Sequence, residues 1–320
     1  MVIPQKNYKI MKAFLFPGQG SQKESMGKDL YDNFPKAKEV FEQANDILGE
    51  RFSDFLFTAS EEVLMDTRNT QMGVFLYEVA IACAQDEIKP DCVAGHSLGE
   101  YAALVVSGAL GFEETVNFIK KRGEVFYNAF IEHPSAMGAI IGLSEVDVRN
   151  VLSTVSAEEN ENLYVANYNG PGQLVITGGR NAIKKACRIF KDMGAKRALL
   201  LPQKGVGHSP NSINEGIILE KELRKLTWKN PQIPIYMDFD GKPHVDVTDI
   251  LETEVKLMTN PVQWTHLINE MDANGVDEFY ECGTDDTLQK IVKRMLPEKL
   301  VDSIINIQTY KGIVNDYSIK

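Results

Sequence analysis

The 320-residue sequence has few of the features that mark secreted, metal-binding or membrane-spanning proteins. Its four cysteines are widely spaced and form no Cys-x-x-Cys pair, which argues against disulfides or a zinc site and fits a reducing cytoplasm. Its five histidines include no His-Glu-x-x-His motif, so we expect no catalytic metal. No apolar run reaches the roughly 18 residues that cross a bilayer. We expect no signal peptide, since Lys12 interrupts the only apolar stretch near the N-terminus.

Basic residues are also in the minority. The 34 lysines and arginines face 45 aspartates and glutamates, which gives a net charge of −11. This balance disfavours a nucleic-acid partner, because nucleic acids are bound through a basic surface. An acidic protein can still bind an acidic partner through a local basic patch. The sequence has two candidates, Lys184-Lys185-Arg188-Lys191-Lys196-Arg197 and Lys120-Lys121-Arg122.

The most informative motif is the sequence GHSLG at residues 95–99. It fits the G-x-S-x-G nucleophile elbow, in which a serine lies on a sharp turn between a strand and a helix. The flanking residues agree, since residues 90–94 read as a short buried strand and residues 98–107 as an apolar helix. Ser97 is therefore the candidate nucleophile.

The order of predicted elements indicates an α/β fold with an insertion. Strands and helices alternate over residues 11–132 and again over 206–320, which predicts an α/β-hydrolase-like core with a parallel sheet. Residues 133–205 instead predict the order βαββαβ, typical of a ferredoxin-like α+β subdomain. Residues 1–10 read as an N-terminal tail. We expect the active site in the cleft between core and insertion.

A serine hydroxyl is a weak nucleophile and needs a base within hydrogen-bonding reach. We select His208, because it lies in a loop where the insertion rejoins the core. His96 is adjacent to the serine and is better read as a residue that lines the pocket. Acyl transfer also needs amides for the developing oxyanion. The N–H of Leu98 is one donor, and Gln19, in the glycine-rich turn after the first strand, is the second unless that turn is a plain loop.

Several motifs occur in one order along the chain. They are FPGQGSQ at 16–22, GHSLGEYAAL at 95–104, KRG at 121–123, ANYNGPGQLVITG at 166–178, AKRALLLP at 195–202, GHSP at 207–210 and PVQW at 261–264. Over residues 11–310 the chain closely resembles the malonyl-CoA:acyl-carrier-protein transacylases, the acyltransferases of fatty-acid and polyketide synthesis.

The resemblance implies a specific reaction. Ser97 would be acylated by malonyl-CoA in a ping-pong reaction, with His208 as proton relay. The main-chain amides of Gln19 and Leu98 would form the oxyanion hole. Arg122 matches the arginine that binds the free malonyl carboxylate, a task that suits a planar guanidinium.

The resemblance also implies the partner and further pocket residues. Gln71 matches a pocket glutamine, and His96 and Gly207 would line the same pocket. The second substrate would be the phosphopantetheine thiol of acyl-carrier protein. No cofactor is implied, because coenzyme A enters as part of the substrate. The family favours a monomer.

Several positions near the predicted pocket depart from the family pattern, and two of them bear on substrate and mechanism. Gly207 stands where the family usually has phenylalanine, so the acyl pocket should be larger unless Phe126 or Tyr127 fills the space. We therefore expect the enzyme to accept a larger malonyl-like group as well as malonyl. Asp238 replaces the asparagine whose main-chain carbonyl we expect to orient the histidine. The Asp238 carbonyl could keep that contact, or its carboxylate could turn to His208 and form a Ser-His-Asp arrangement.

Two other function classes remain open from the sequence. The same serine and histidine would give an acyl-CoA or acyl-carrier-protein hydrolase if water reached the acyl-enzyme, although a hydrolase has no use for a carboxylate-binding Arg122. A divergent homologue could instead bind the carrier protein without catalysis, but Ser97, His208, Gln19 and Arg122 are all present.

Overall fold

The computed structural model describes residues 9–202 and 207–304, which contain two β-sheets flanked by helices. The strands are β1 (Met11–Phe16), β2 (Cys92–Gly95), β3 (Ser135–Ile141), β4 (Tyr164–Gly170), β5 (Gln173–Gly179), β6 (Arg197–Leu200), β7 (Ile235–Tyr236), β8 (Pro243–His244), β9 (Val276–Glu281) and β10 (Leu300–Ser303). The helices are α1 (Lys28–Asn33), α2 (Pro35–Leu48), α3 (Phe52–Thr58), α4 (Glu61–Leu64), α5 (Thr67–Ala84), α6 (Gly99–Val106), α7 (Phe112–Glu132), α8 (Glu145–Glu159), α9 (Arg180–Asp192), α10 (Ile213–Leu223), α11 (Val247–Leu257), α12 (Trp264–Ala273) and α13 (Thr287–Met295). A 3-10 turn, Pro210–Ser212, precedes α10.

The larger sheet has the strand order β10-β9-β1-β2-β7-β8, and all neighbouring strands are parallel except the short β8. Its central strands are apolar on both faces because helices cover both sides. Along β1, Phe14 and Phe16 enter one hydrophobic cluster while Ala13 and Leu15 enter the cluster on the opposite face. The predicted parallel core is confirmed, and it places the carboxyl ends of β1 and β2 side by side.

The smaller sheet is antiparallel and has the order β4-β5-β3-β6. Helices α8 and α9 pack with it around a separate core that includes Ile140, Ile176 and Phe190. This is the predicted ferredoxin-like βαββαβ arrangement, so the fold class is confirmed. The boundaries proposed for the two parts, residues 11–132 with 206–320 and residues 133–205, stay predictions.

The sequence patterns missed helix α11. Its buried positions are Ile250, Thr253, Glu254 and Leu257, which have the spacing of one helix face. Two of these four side chains are polar, but Val247, Ile250, Leu251, Val255 and Met258 have the spacing of one apolar helix face, so the sequence carried a signal for this helix. The helix also begins with a cap, since the Asp246 side chain accepts a hydrogen bond from the Thr248 N–H.

Two predicted features extend beyond the described residues. A last strand was predicted near residues 303–307, and β10 ends at Ser303, while residues 305–307 lie outside the described ranges. Most of the N-terminal tail, residues 1–8, also lies outside them. Among the described helices, none combines the length and the apolar character needed to cross a membrane.

Candidate active site

The turn between β2 and α6 is tight enough to require its two glycines. A Cβ on Gly95 would lie 2.0 Å from the carbonyl carbon of Gly99, and a Cβ on Gly99 would lie 2.2 Å from the Phe16 carbonyl oxygen. Ser97 itself has φ 55°, in the left-handed region that non-glycine residues rarely adopt. This is the geometry of a nucleophile elbow, and it presents the Ser97 hydroxyl at the end of the parallel sheet.

The structure brings Ser97 and His208 together, although they are 111 residues apart in the chain. Ser97 Oγ lies 2.6 Å from His208 Nε2, and His208 Nδ1 lies 3.0 Å from the Leu257 carbonyl oxygen. A carbonyl oxygen can only accept, so Nδ1 carries the proton and Nε2 is left as the acceptor for the serine hydroxyl. The pair is therefore in the protonation arrangement that a general base requires.

Burial controls the charge of this histidine. His208 is only 6% exposed, and burial lowers its pKa to about 3, with the Arg122 guanidinium and His96 acting in the same direction. The Leu257 carbonyl opposes this shift but does not overcome it. At neutral pH the imidazole is thus uncharged and able to take a proton.

The prediction that Asp238 orients the histidine is wrong. Leu257, the last residue of α11, supplies the carbonyl that accepts from His208 Nδ1. The Asp238 carbonyl accepts instead from the Gln263 N–H, at 2.8 Å. The Asp238 carboxylate points the other way and accepts from the Ser97 N–H, at 2.5 Å. Neither a carbonyl contact nor a Ser-His-Asp triad joins Asp238 to His208.

Arg122 lies buried on α7, with 5% of its surface exposed. One of its terminal nitrogens donates to Gln71 Oε1 at 2.7 Å, and its guanidinium lies over the rings of Tyr101 and Phe126, at 5.4 and 4.8 Å. Its Nε has no hydrogen-bond partner, and no acidic side chain in the described ranges forms an ion pair with it. A buried cation with a free donor beside a cavity is a site for an anionic group.

One cavity of about 290 Å³ connects these groups. Residues of the parallel sheet and its helices line one side, and residues of the antiparallel sheet such as Met137 and Val175 line the other. Each predicted site residue except Asp238 lines this cavity; they are Gln19, Gln71, His96, Ser97, Leu98, Arg122, Gly207 and His208. The cavity thus lies between the two sheets.

The two predicted oxyanion donors border the cavity beside Ser97. Leu98 directly precedes α6, and Gln19 lies in the loop after β1. A Cβ on Gly18 would lie 2.6 Å from the His96 carbonyl oxygen, so only glycine lets this loop approach the elbow so closely. The assignment of Gln19 and Leu98 as an oxyanion hole stays a prediction.

His96 is held in place by residues that the sequence patterns did not single out. Its Nε2 lies 2.8 Å from Asn169 Oδ1. Its ring and that of Trp264 pack edge to face, with their centroids 5.3 Å apart. Burial lowers the pKa of His96, so this ring is also neutral. Asn169 lies in the motif ANYNGPGQ, which was the available signal for its role. Leu257 had no such signal, since it acts through its backbone.

The space beside Gly207 is occupied. A Cβ on Gly207 would lie 3.5 Å from the Phe126 ring, which also covers Arg122. Tyr127 does not contribute, because its ring packs under the Arg68 guanidinium at 3.7 Å. Phe126 therefore fills the space that the missing side chain of Gly207 leaves, as the sequence allowed, and the pocket is not enlarged there.

The fold is that of an acyltransferase, and comparisons with known proteins agree. The acyl transferase domain family matches residues 13–311. The chain is 36% identical over 285 residues to the malonyl CoA-acyl carrier protein transacylase of Bacillus subtilis, covering 88% of this chain and 90% of that protein. It is 35% identical over 297 residues to the transacylase of Escherichia coli, covering 92% and 95%. The chain belongs to the malonyl CoA-acyl carrier protein transacylase family.

Solved structures give the same result. The Coxiella burnetii transacylase superposes with a TM-score of 0.89 at 32% identity, covering 96% of this chain and 97% of that chain. A malonyl-transacylase in complex with its type II polyketide acyl-carrier protein superposes with a TM-score of 0.90 at 30% identity, covering 96% and 99%.

Proposed function

We propose that this protein transfers a malonyl group from coenzyme A to the phosphopantetheine thiol of an acyl-carrier protein through a Ser97-linked acyl-enzyme. The observation that carries the proposal is the buried Arg122, which has no acidic partner among the described residues and lines the same cavity as the hydrogen-bonded Ser97 and His208. A malonyl thioester has the two features these groups match, a reactive carbonyl and a free carboxylate. The names of the family members support this substrate and partner.

In the first half-reaction Ser97 Oγ attacks the thioester carbonyl and gives its proton to His208 Nε2. The oxyanion of the tetrahedral intermediate is stabilised by the N–H groups of Gln19 and Leu98. As the intermediate collapses, the carbon–sulfur bond breaks and His208 returns the proton to the departing coenzyme A thiolate. In the second half-reaction the carrier thiol passes its proton to His208 and attacks the malonyl ester. The bond between the malonyl carbonyl carbon and Ser97 Oγ then breaks, and His208 returns the proton to Ser97 Oγ.

The Leu257 carbonyl accepts the hydrogen bond from His208 Nδ1 that a carboxylate accepts in a Ser-His-Asp triad. Leu257 is the last residue of α11, so its C=O has no partner within the helix. The carboxyl end of a helix also carries partial negative charge. This end of α11 therefore holds the histidine ring and stabilises the imidazolium that forms during each proton transfer.

Intact-protein mass spectrometry tests the proposal. After brief incubation with malonyl-CoA, the mass should rise by one malonyl group, and Ser97→Ala should abolish the increase. Adding holo acyl-carrier protein should remove the adduct and malonylate the carrier. Release of coenzyme A and free malonate without carrier would instead indicate a hydrolase. No reaction with malonyl-CoA, methylmalonyl-CoA or acetyl-CoA would indicate a protein that only binds the carrier.

The buried state of His208 predicts an unusual pH dependence. A depressed pKa of about 3 keeps the base neutral, and thus active, at every pH well above that value. We expect kcat/KM for malonyl-CoA, which reports the free enzyme, to show no inflection near the ordinary histidine pKa of about 6.5. A fall in kcat/KM at low pH with an apparent pKa between 6 and 7 would contradict the burial of this base. The control is malonyl-CoA incubated without enzyme at each pH, which should show no such change.

Phe126 is expected to set the size of the acyl group. Its ring fills the space beside Gly207, so Phe126→Ala should open room next to the histidine. A one-methyl difference in a pocket is worth about 1–3 kcal/mol, so the ratio of kcat/KM for methylmalonyl-CoA to malonyl-CoA should rise by roughly 10-fold or more. The neighbouring Tyr127→Ala, whose ring packs on Arg68, is the matched control. An unchanged ratio in Phe126→Ala would assign the size limit elsewhere.

The remaining expectations are proposals of the same kind. The acidic carrier protein would bind near one of the basic patches, and we do not choose between the patch around Lys184 and that around Lys120. The cytoplasmic location inferred from cysteine usage, the monomeric state and the absence of a nucleic-acid or membrane partner stay predictions. Coenzyme A and phosphopantetheine arrive with the substrates, so the reaction written above uses no further cofactor.

A further inference from the structure

Three carboxyl side chains lie buried together beneath the nucleophile elbow. Glu100 on α6, Asp238 after β7 and Glu254 on α11 are each 0% exposed. The Asp238 carboxyl accepts from the Ser97 N–H at 2.5 Å, and the Asp238 N–H donates to Glu100 Oε1, also at 2.5 Å. The mechanism above uses none of these three side chains, yet one of them is hydrogen-bonded to the backbone of the nucleophile.

Among the described residues, no basic side chain forms an ion pair with these three carboxyl groups. Asp238 Oδ1 also has no hydrogen-bond partner among them. Burial, reinforced by the Glu254 and Asp238 carboxyls, raises the pKa of Glu100 well above its usual range. Burial also raises the pKa of Asp238, and although the hydrogen bond from the Ser97 N–H opposes this shift, Glu254 acts in the same direction as burial. Their surroundings therefore favour the protonated forms of Glu100 and Asp238 over two negative charges.

The hydrogen bond from Ser97 is significant because of the backbone it fixes. Ser97 occupies the left-handed region, a strained conformation that persists only where the surroundings impose it. The Asp238 oxygen satisfies the Ser97 N–H in this turn. The bond therefore fixes the direction in which the Ser97 side chain leaves the turn, toward His208.

We propose that Asp238 is a positioning residue for the nucleophile, and that the reaction needs its carboxyl oxygen as an acceptor for the Ser97 N–H rather than its negative charge. Asp238 does not touch the substrate or His208; it acts through the backbone of Ser97. Glu100 supports it in turn by accepting from the Asp238 N–H. The inference rests on the proposed function only in taking Ser97 as the nucleophile.

The experiment compares two substitutions of one residue. Asp238→Asn keeps an oxygen acceptor and removes the acid, whereas Asp238→Ala removes both. The probe is a fluorophosphonate, which labels an activated serine whatever its natural substrate, so failure of malonyl transfer cannot be confused with failure of this inference. Thermal unfolding of each variant gives the folded fraction, and kcat and KM for malonyl-CoA are measured alongside.

We expect Asp238→Asn to label within about 3-fold of the parent chain. Asp238→Ala should label roughly 30- to 100-fold more slowly and lose kcat to the same degree, because a small displacement of a nucleophile costs on the order of 100-fold. Its KM should stay within about 2-fold, since the Arg122 side of the pocket is unchanged. Asp240→Ala, two residues further along and paired with His244, is the matched control and should label normally.

Two results would overturn the inference. The first is a folded Asp238→Ala that labels like the parent chain, which would reduce Asp238 to a structural role. The second is a folded Asp238→Asn that has lost more than about 10-fold, which would show that the charge is needed. The second result depends only on Asp238→Asn, so the inference can still be overturned if Asp238→Ala does not fold.

Discussion

Replacing His208 by alanine should lower kcat for malonyl transfer by about 10³- to 10⁴-fold, the largest effect of any substitution outside Ser97 itself. A positioned general base contributes about 10²- to 10⁴-fold. His208 is needed twice, once to take the Ser97 proton and once to take that of the carrier thiol. Its Nε2 is also the hydrogen-bond partner of Ser97 Oγ, at 2.6 Å.

The measurement should separate the two half-reactions. Single-turnover acylation by malonyl-CoA, followed by intact mass, reports the first; transfer from purified malonyl-enzyme to holo carrier protein reports the second. We expect both to be slow in His208→Ala, and Ser97→Ala to form no adduct. His133→Ala is the matched control, because His133 is exposed at the end of α7 and should not affect either step.

A small loss in one half-reaction would contradict the assignment. If acylation fell by less than about 10-fold while transfer collapsed, His208 would activate only the carrier thiol. If both were nearly normal, another group would serve as base. No other candidate base lies within hydrogen-bonding distance of Ser97 Oγ in the described residues, so we expect neither result.

The sequence predicted the elbow because that part of the site is local. Glycines at 95 and 99 are needed by contacts with residues four positions apart or on the adjacent strand. A pattern of five residues therefore carries the geometry. The order of strands and helices likewise predicted both sheets, since parallel and antiparallel connections leave different element orders in the chain.

The histidine partner could not be predicted in the same way. The Leu257 carbonyl is a backbone group, so residue type gives no sign of it. Asp238 was predicted instead because it stands where the family has the asparagine whose main-chain carbonyl we expected to orient the histidine. In the folded chain the Asp238 carboxyl points to the Ser97 N–H, a contact that depends on the backbone conformation of Ser97 and not on its identity.

The role of Gly207 was ambiguous for a related reason. A missing side chain enlarges a pocket only if no neighbour fills the space, and the neighbour is Phe126, which lies 81 positions earlier in the chain on α7. Arg122 lies one helical turn before Phe126, so the carboxylate-binding cation and the ring that limits the acyl group project from the same face of that helix. Charge and size selection are thus combined on α7.

Arg122→Ala should lower kcat/KM for malonyl-CoA by about 10²- to 10³-fold and leave acetyl-CoA little changed. Loss of one partner of a buried charged pair costs about 2–5 kcal/mol, and acetyl-CoA has no carboxylate to lose. Arg122→Lys should recover only part of the loss, because an ammonium cannot reproduce the planar guanidinium that donates to both Gln71 and a carboxylate. Arg122→Ala should therefore prefer acetyl-CoA over malonyl-CoA, and not only react more slowly with both donors.

The readout is competition between malonyl-CoA and acetyl-CoA for Ser97, followed by intact mass. Lys121→Ala is the matched control, since Lys121 is the neighbouring cation but is half-exposed and paired with Glu124. Equal losses for both donors in Arg122→Ala would mean that Arg122 supports the fold of the pocket and does not bind the carboxylate. Retained malonyl preference would be harder to reconcile with the structure, because no other buried cation without an acidic partner lines the cavity within the described ranges. The hydrolase and binding-only alternatives predict no inversion, so this one substitution also tests why a buried arginine lies beside the nucleophile.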